Sequence, residues 1–329
     1  MKFHRFTGYG PITINGASTN PLITKAKPLQ NPEGYIAGKA LINAVNVALT
    51  LKKPLLVTGD PGTGKTQLAY RLAAEFGKTE VLRFDTKSSS QATDLYYQFD
   101  NIRQFGQSQL NAAAGKPLPE SREFIRFAAM GLAILRTLEP GEIESRLGPA
   151  FRHAKAAESV VMIDEIDKAP RDFPNDLLNQ IENLEFTIPE LGQTFRANEE
   201  LAPVVIITSN SEKQLPEPFL RRCVYHHIEF PTDPKEIGGI LEERLKQLNL
   251  SGLAYREAVK FFFDLRAHGA IGKKPSTSEL LDWLRALVSA GLDMKNSLKE
   301  QQPIVESCLG TLLKTTEDVK IAKAIPPLT

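Results

Sequence analysis

The stretch "GDPGTGKT", Gly59 to Thr66, decides the fold predicted for this chain. It follows the apolar run "PLLV" at 54–57 and precedes a helical pattern in which Leu68, Leu72 and Phe76 recur every four residues. The stretch matches G-x-x-x-x-G-K-[ST], a loop between a strand and a helix whose backbone amides surround phosphate groups. A tight turn with a capping threonine is the structural alternative, but the flanking strand and helix favour a nucleotide-binding loop.

The motif assigns a role to two side chains of this loop. Lys65 is expected to reach the β- and γ-phosphates of a bound nucleotide, and the Thr66 hydroxyl is expected to bind magnesium. The predicted nucleotide contacts are Gly59, Asp60, Pro61, Gly62, Thr63, Gly64, Lys65, Thr66 and Gln67.

The composition is typical of a globular protein long enough for two domains. Of the 329 residues, 42% are hydrophobic, and 40 Lys and Arg nearly balance 39 Asp and Glu. The near-neutral charge and the lack of a basic segment with interleaved aromatics argue against nucleic-acid binding. The two cysteines, Cys223 and Cys308, suggest neither a disulfide framework nor a metal site. Because no apolar run approaches the roughly 20 residues of a membrane span, we expect a cytoplasmic protein.

Five short runs of β-branched and aliphatic residues predict the strands of one sheet. They are "PLLVTG" (54–59), "EVLRFDT" (80–86), "SVVMIDE" (159–165), "PVVIITSN" (203–210) and "VYHHIEF" (224–230). Three runs are continuously apolar, which is typical of strands buried on both faces of a parallel sheet. Helical patterns between the runs predict a doubly wound α/β domain.

The chain is predicted to contain two domains, a nucleotide-binding domain over 1–231 and an all-helical domain over 232–329. The first carries a predicted helical insertion at about 88–149, a stretch too long for one crossover. The second opens with Asp233 as N-cap, Pro234 at the first helical position and Glu236 completing the cap. Its first helix places Ile237, Leu241, Leu245 and Leu248 on one face.

The run "VVMIDEID" places two acids at the end of a buried strand. Asp164 is predicted to hold magnesium through its water shell, and Glu165 to polarise a water molecule against the γ-phosphate. The alternative is a solvated acidic loop that begins the next helix. No N-K-x-D base-reading motif occurs in the sequence, which argues against a Ras-like GTPase.

Two further segments carry candidate catalytic residues. "VVIITSN" ends in Asn210, whose amide could contact the γ-phosphate or the attacking water, although a turn-forming asparagine is an equal alternative. "LPEPFLRRC" places Arg221 and Arg222 between a helix and a strand. They could complement the helix dipole or stabilise the transition state in a neighbouring subunit.

Taken in order, "GDPGTGKT", "VVMIDEIDKAP", "ITSN" and "LPEPFLRRC" resemble the AAA+ ATPases. With "KKPSTSELLDWLRAL" they resemble the MoxR family, in the subgroup that includes the ATPase assisting carbon monoxide dehydrogenase maturation. The resemblance implies an αβα core with a parallel five-stranded sheet, a C-terminal helical lid, and a ring, usually a hexamer, with ATP at subunit interfaces.

The same resemblance assigns family roles to residues of this sequence. It makes Lys65 and Thr66 Walker A, Asp164 and Glu165 Walker B, and Asn210 sensor 1. Arg222 falls at the arginine finger, with Arg221 the second choice. Tyr35 and Ile36 fall where family members contact adenine, with simple packing as the alternative.

One position departs from the commoner family pattern. The sensor 2 arginine of many relatives falls on Ser278, while Ser276 and Glu279 predict a capping box. Lys273 or Lys274 is the proposed substitute for the missing charge, with Lys274 preferred.

The resemblance also implies partners and a task. Family members often work with a von Willebrand factor A domain protein, and the sequence predicts an ATP-driven chaperone that remodels, matures or activates a client complex, for example by metal or cofactor insertion. The segments 96–109 and 190–200 are predicted as partner surfaces, with padding of a ring interface as the alternative. The other hypotheses are an ATP-gated assembly factor without remodelling and a DNA-associated AAA+ protein.

Overall fold

The computed structural model describes residues 32–327, apart from 79, 150, 152, 211–212, 232 and 249. The first 31 residues of the predicted nucleotide-binding domain therefore lie outside the described part. The chain forms two compact units. The first comprises the chain up to Thr58 together with Lys65–His227, and the second comprises Gly59–Gly64 together with Ile228–Thr329.

The described strands comprise one large sheet and two small antiparallel pairs. In chain order they are β1 (Leu55–Gly59), β2 (Leu82–Asp85), β3 (Tyr97–Phe99), β4 (Ile125–Phe127), β5 (Val160–Asp164), β6 (Glu185–Ile188), β7 (Gln193–Arg196), β8 (Val204–Ser209) and β9 (Val224–Ile228). The large sheet has five strands in the order β2-β5-β8-β1-β9, and its pairs β2–β5, β5–β8 and β8–β1 are parallel. The prediction of a five-stranded parallel sheet is confirmed.

Burial along the strands follows their place in the sheet. The central strands β5 and β1 are buried at every position, whereas the edge strands β2 and β9 alternate between less and more exposed residues. Side chains of a central strand are covered on both faces, so apolar residues predominate there, and buried polar residues such as Asp164 and Thr208 lie near the strand ends. The three continuously apolar runs of the sequence are the three central strands.

Helices surround this sheet and make up the second unit. The described α-helices are α1 (Lys39–Leu51), α2 (Lys65–Glu75), α3 (Asn101–Ala113), α4 (Ala129–Arg136), α5 (Pro140–Leu147), α6 (Phe173–Asn183), α7 (Glu217–Leu220), α8 (Pro234–Leu245), α9 (Leu253–Ala267), α10 (Thr277–Ser289), α11 (Gln302–Leu312) and α12 (Thr316–Lys323). Among the helices that the structure describes, none is both long and apolar enough to pass through a lipid bilayer.

The segment 88–149 contains strands as well as the predicted helices. β3 and β4 pair antiparallel on either side of α3, with Tyr97 opposite Phe127. The sequence reading did not include these strands, because a run of three residues is too short to show an alternating pattern. A second antiparallel pair, β6–β7, overlaps the segment 190–200, which contains part of the turn between the two strands, all of β7 and the residues that follow it.

Each unit has its own hydrophobic core. The first core surrounds the sheet and includes Leu56, Ile163 and Ile207, and the second surrounds Trp283 and Phe261 in the helical unit. Because each cluster is continuous within one unit, each unit can bury apolar surface by itself.

The start of the helical unit follows its sequence closely. Asp233 caps α8 by accepting a hydrogen bond from Lys235 N at 2.8 Å, and Pro234 occupies the first helical position. Ile237, Leu241 and Leu245 are buried. Leu248, predicted on the same face, is exposed because α8 ends at Leu245 and the phase of the helix is lost beyond it.

Candidate nucleotide site

The loop Gly59–Gly64 needs glycine at three positions. Gly59, Gly62 and Gly64 have φ of 144°, 78° and 90°, a region that side chains with a Cβ adopt only under strain. A Cβ on Gly59 would also lie 2.5 Å from the carbonyl oxygen of Ile228. The spacing of the glycines in the motif therefore follows from the positive φ angles that this loop requires.

Lys65 and Thr66 are the first two residues of α2 and belong to the first unit. The Lys65 side chain is buried. The Thr66 hydroxyl lies 3.3 Å from Oδ1 of Asp164, the last residue of β5. The structure therefore brings together a hydroxyl and a carboxylate that stand 98 positions apart in the sequence.

Asp164 is buried, and both of its carboxylate oxygens are engaged. The hydroxyl of Thr208, on β8, donates to Oδ1 at 2.5 Å, and Nη2 of Arg83, on β2, lies 2.8 Å from Oδ2. These contacts fix the orientation of the carboxylate, since rotation would break one of them.

The residues fit a magnesium ion that is shared with nucleotide phosphates. The Thr66 hydroxyl and the Asp164 carboxylate supply hard oxygen donors, and Mg²⁺ in phosphate-transfer sites usually keeps several waters and one or two protein ligands. The described residues contain no group of three or more His, Cys, Asp or Glu that could hold a metal by themselves. The Thr66 hydroxyl and the Asp164 carboxylate are therefore suited to a Mg²⁺ ion that also binds nucleotide phosphates.

Glu165 has a left-handed backbone, with φ 55° and ψ 52°. Its N–H donates to the Thr208 hydroxyl at 2.9 Å. Its carboxylate accepts a hydrogen bond from Nδ2 of Asn210 at 3.1 Å and forms an ion pair with Lys168. Such a conformation costs about 1–3 kcal/mol in a residue other than glycine and persists where the surroundings hold it, commonly at functional sites.

Asn210 follows β8 directly, next to the end of β5. Its backbone N–H donates to Oδ1 of Asp167 at 3.2 Å, while its side-chain amide reaches Glu165. Of the residues predicted from the sequence, the structure thus groups Thr66 with Asp164 and Asn210 with Glu165. Gln67, on α2, is half-buried.

The arginine and adenine candidates lie elsewhere in the first unit. Nε of Arg222 lies 3.0 Å from Oε2 of Glu182, and Arg221 pairs with Glu217. Both arginine side chains are exposed, at 41% and 76% of their surface respectively. Tyr35 is buried and Ile36 is exposed.

In the second unit, the side chain of Arg266 contacts the loop Gly59–Gly64. Nη2 of Arg266 lies 3.7 Å from Oδ2 of Asp60, and its guanidinium stacks 3.3 Å above the ring of Phe230. Burial lowers the pKa of Arg266, while the neighbouring Asp60 carboxylate opposes that change. Lys274 is exposed, and no ion pair joins it to the loop in the part of the chain that the structure describes.

The predicted capping box is present at the start of α10. The Ser276 N–H donates to Oε2 of Glu279 at 2.8 Å, and the Glu279 N–H donates to the Ser276 hydroxyl at 3.4 Å. A Cβ on Gly62 would lie 2.6 Å from the Ser276 hydroxyl oxygen, so this serine adds to the need for glycine in the loop.

The site geometry agrees with a comparison of the chain with known families. The sequence model of the family described as "ATPase family associated with various cellular activities (AAA)" matches residues 55–232, more than half of the 329 residues. This chain belongs to the AAA ATPase family. The family implies nucleotide binding and, in general, ATP hydrolysis.

Solved structures similar to this AAA ATPase include forms of RuvB from Thermotoga maritima. Two substituted forms share 15% identity and have TM-scores of 0.43 and 0.46, covering 87% and 83% of this chain and 67% of their own. A third, described as a Holliday junction branch migration motor, shares 14% identity with a TM-score of 0.43, covering 98% of this chain and 73% of its own.

The sequence reading of this AAA ATPase missed Thr208 and Arg83 in the first unit and Arg266 in the second. Thr208 is placed by the register of the sheet, in which Ile207 lies opposite Ile163 and the Thr208 hydroxyl reaches Asp164, and no local pattern in the sequence marks it. Arg83 carried no signal, since a single arginine in a predicted strand has many uses. Arg266 lies in a helix more than 200 positions from its partner Asp60, a distance that no local pattern bridges.

Proposed function

We propose that this AAA ATPase is a MoxR-type chaperone that hydrolyses ATP with Mg²⁺ and uses the cycle to remodel, mature or activate a partner protein complex. The conformation of Glu165 is the observation that supports the proposed ATP hydrolysis. A carboxylate held in a left-handed backbone by Thr208 and Asn210, one residue after Asp164, is suited to act on a water molecule beside a phosphate.

Each predicted site residue has one role in this proposal. Lys65 neutralises phosphate charge, Thr66 and Asp164 hold magnesium, and Asn210 orients the Glu165 carboxylate. Glu165 accepts the proton of the attacking water. A magnesium ion held by Thr66 and Asp164 would supply positive charge that offsets the charge developing on the phosphate. Tyr35 and Ile36 remain proposed adenine contacts, and Lys274 a proposed lid contact.

A ring, proposed as a hexamer, would bring an arginine to a neighbour's nucleotide. Arg222 is half-exposed and is held by Glu182 and by the carbonyl of Pro218 at 3.2 Å. A guanidinium that is anchored but open to solvent can contact an incoming phosphate without first losing a buried partner. We propose Arg222 as this arginine finger, with Arg221 as the second choice.

The inserted helix α3 supports the proposal of a protein partner. None of its residues is buried, and Ile102, Phe105 and Leu110 expose 87%, 66% and 66% of their surface. Their spacing places them on one side of the helix. Exposed apolar groups on one side of an inserted helix are suited to a protein contact, and we propose a von Willebrand factor A domain protein and a client complex as the partners.

The test is the rate of ATP hydrolysis against protein concentration for the wild type, Glu165→Gln and Arg222→Ala. Since glutamine cannot accept the proton, Glu165→Gln should lower kcat about 10²–10⁴-fold and leave ATP binding intact. Arg222→Ala should be inactive as well, and mixing the two variants should restore part of the rate, because the mixture contains sites with both intact residues. Glu123→Gln, which changes an exposed acid of the first unit, is the matched control and should behave as wild type.

Other results would contradict parts of the proposal. Normal hydrolysis by Arg222→Ala at a rate independent of concentration would mean that the site works within one chain. Slow turnover that no partner accelerates would favour an ATP-gated assembly factor. Normal hydrolysis by Glu165→Gln would remove Glu165 from the catalytic step.

A further inference from the structure

We propose that Arg83 is a positioning residue that makes metal binding at Asp164 depend on nucleotide. It holds one carboxylate oxygen of Asp164 and places a positive charge beside the carboxylate that a free divalent cation would bind. The inference rests on the proposed function in one respect, which is that Asp164 and Thr66 receive the metal.

The register of the sheet places Arg83 at this position. β2 pairs in parallel with β5, so that Asp85 lies opposite Asp164 and Arg83 lies opposite Met162. Successive side chains of a strand point to opposite faces, so Arg83 and Asp85 share a face. The long arginine side chain can therefore reach the carboxylates at the ends of both strands.

The guanidinium contacts both of these carboxylates. Its Nε lies 2.5 Å from Oδ1 of Asp85, and its Nη2 lies 2.8 Å from Oδ2 of Asp164. The two acids differ in exposure, since the Asp85 side chain keeps 63% of its surface in solvent and the Asp164 side chain keeps 8%. The contact with Asp164 is thus the less solvent-screened of the two.

Arg83 stays charged in this setting. A guanidinium keeps its proton in proteins, and here it lies beside two carboxylates. Asp85, Arg83 and Asp164 together therefore carry one net negative charge, where the two carboxylates alone would carry two. The guanidinium weakens the binding of a free divalent cation, because its repulsion offsets part of the attraction of the carboxylates.

A bound nucleoside triphosphate changes that balance. Its phosphates supply several negative charges and further oxygen ligands, which outweigh one guanidinium that is already occupied by two carboxylates. Meanwhile Oδ1 of Asp164 remains on the side of the Thr66 hydroxyl, 3.3 Å away. Asp164 and Thr66 would thus bind the metal together with the nucleotide, and the Asp164 carboxylate would already be oriented for it.

The test measures Mn²⁺, as a paramagnetic probe for Mg²⁺, binding to the full chain without nucleotide. We expect the free wild type to bind Mn²⁺ weakly and Arg83→Gln to bind it about tenfold more tightly, because one opposing charge is removed. Arg83→Lys keeps the charge and should resemble wild type. Arg126→Gln, which changes an exposed arginine of β4, is the matched control.

A second pair of variants keeps the test decisive if Arg83→Gln folds poorly. Asp85→Asn leaves Arg83 with Asp164 as its carboxylate partner and should not increase Mn²⁺ binding. In the double variant that combines Arg83→Gln with Asp164→Asn, the additional Mn²⁺ binding of Arg83→Gln should disappear. Unchanged or weaker binding by Arg83→Gln, a gain in Asp85→Asn, or a gain that survives the loss of Asp164 would each overturn the proposal.

Failure of the proposed function gives a different result. If wild type bound neither ATP nor Mn²⁺ with ATP, the nucleotide site itself would be wrong, whatever Arg83 does. If wild type bound Mn²⁺ with ATP but Arg83→Gln gained nothing without it, only the role of Arg83 would be rejected.

Discussion

At the scale of single residues, one hydroxyl connects the two acids of the site. Thr208 is fully buried, donates to Asp164 at 2.5 Å and accepts from the Glu165 N–H at 2.9 Å. A threonine hydroxyl can donate once and accept twice, so it satisfies a carboxylate and a backbone amide at once. The left-handed conformation of Glu165 depends in part on this contact.

Thr208→Val should therefore weaken both stability and catalysis. Valine has a similar shape but leaves the Asp164 oxygen and the Glu165 N–H without this partner, which should cost about 1–3 kcal/mol in urea unfolding. Displacement of Glu165 should lower kcat about 10–100-fold. Thr208→Ser should restore most of both quantities. Thr187→Val, which removes an exposed hydroxyl of β6, should change neither, and equal effects from the two valine variants would count against this role.

At the scale of elements, short hairpins stabilise one another through aromatic rings. The ring of Phe186 on β6 lies between 5.4 and 6.3 Å from four others, those of Tyr96, Tyr97, Phe127 and Phe195. A single two-stranded hairpin is marginal in water. The pairs β3–β4 and β6–β7 therefore form a shared cluster, which explains why strands of three and four residues persist.

In the helical unit, α12 holds a loop through one buried carboxylate. Asp318 accepts hydrogen bonds from the backbone N–H of Gly272 at 2.8 Å and of Lys273 at 3.2 Å. The bond from Gly272 is the main reason that the pKa of Asp318 is lowered. A lowered folded-state pKa means that the carboxylate stabilises the fold above its unfolded pKa of about 3.9 and stops doing so as pH falls through the folded value.

At neutral pH, Asp318→Asn should remove the stability that the ionised carboxylate contributes. Loss of the charged acceptor should lower the free energy of unfolding by about 1–2 kcal/mol at pH 7, measured by urea denaturation. The difference between wild type and variant should shrink as pH is lowered below about 4, because the unfolded wild-type chain then binds a proton at Asp318 that the folded chain does not. Asp293→Asn is the control, since Asp293 is exposed and its loss should have little effect. A difference that stays constant between pH 7 and pH 3 would exclude the proposed role of the charge.

At the scale of the whole molecule, each of the two units has its own hydrophobic cluster. The cluster around Trp283 contains residues of the helical unit only. Trp283 is also the one tryptophan of the chain and is fully buried. Its fluorescence therefore reports on the helical unit alone, while circular dichroism reports on both.

A fragment of residues 228–329 should fold by itself. Because it contains the complete second cluster, we expect a cooperative urea transition and a blue-shifted Trp283 emission close to that of the full chain. Phe261→Ala in the fragment should cost about 3–5 kcal/mol, since the Phe261 ring packs 5.9 Å from the indole. An emission maximum like that of the unfolded chain would show that the unit needs the rest of the protein.

The sequence by itself determined the elements whose pattern is local. Continuous apolar runs marked the three central strands, and glycines at fixed spacing marked a loop that needs positive φ. Asp233 and Ser276 marked helix starts, because capping joins residues only two or three positions apart. The proximity of Thr66, Asp164 and Asn210 could be anticipated, since the carboxyl ends of parallel strands meet at one edge, but the hydrogen bond of Asn210 with Glu165 was not predicted.

Only the tertiary structure decided which other side chains complete these groups. Arg83 reaches Asp164 through the pairing of β2 with β5, and Arg266 reaches Asp60 across more than 200 positions. The left-handed backbone of Glu165 is likewise set by Thr208, from a different strand. A strand or cap leaves its mark in consecutive residues because its hydrogen bonds are local. A long-range charge pair depends on register and packing, which no short stretch of sequence contains.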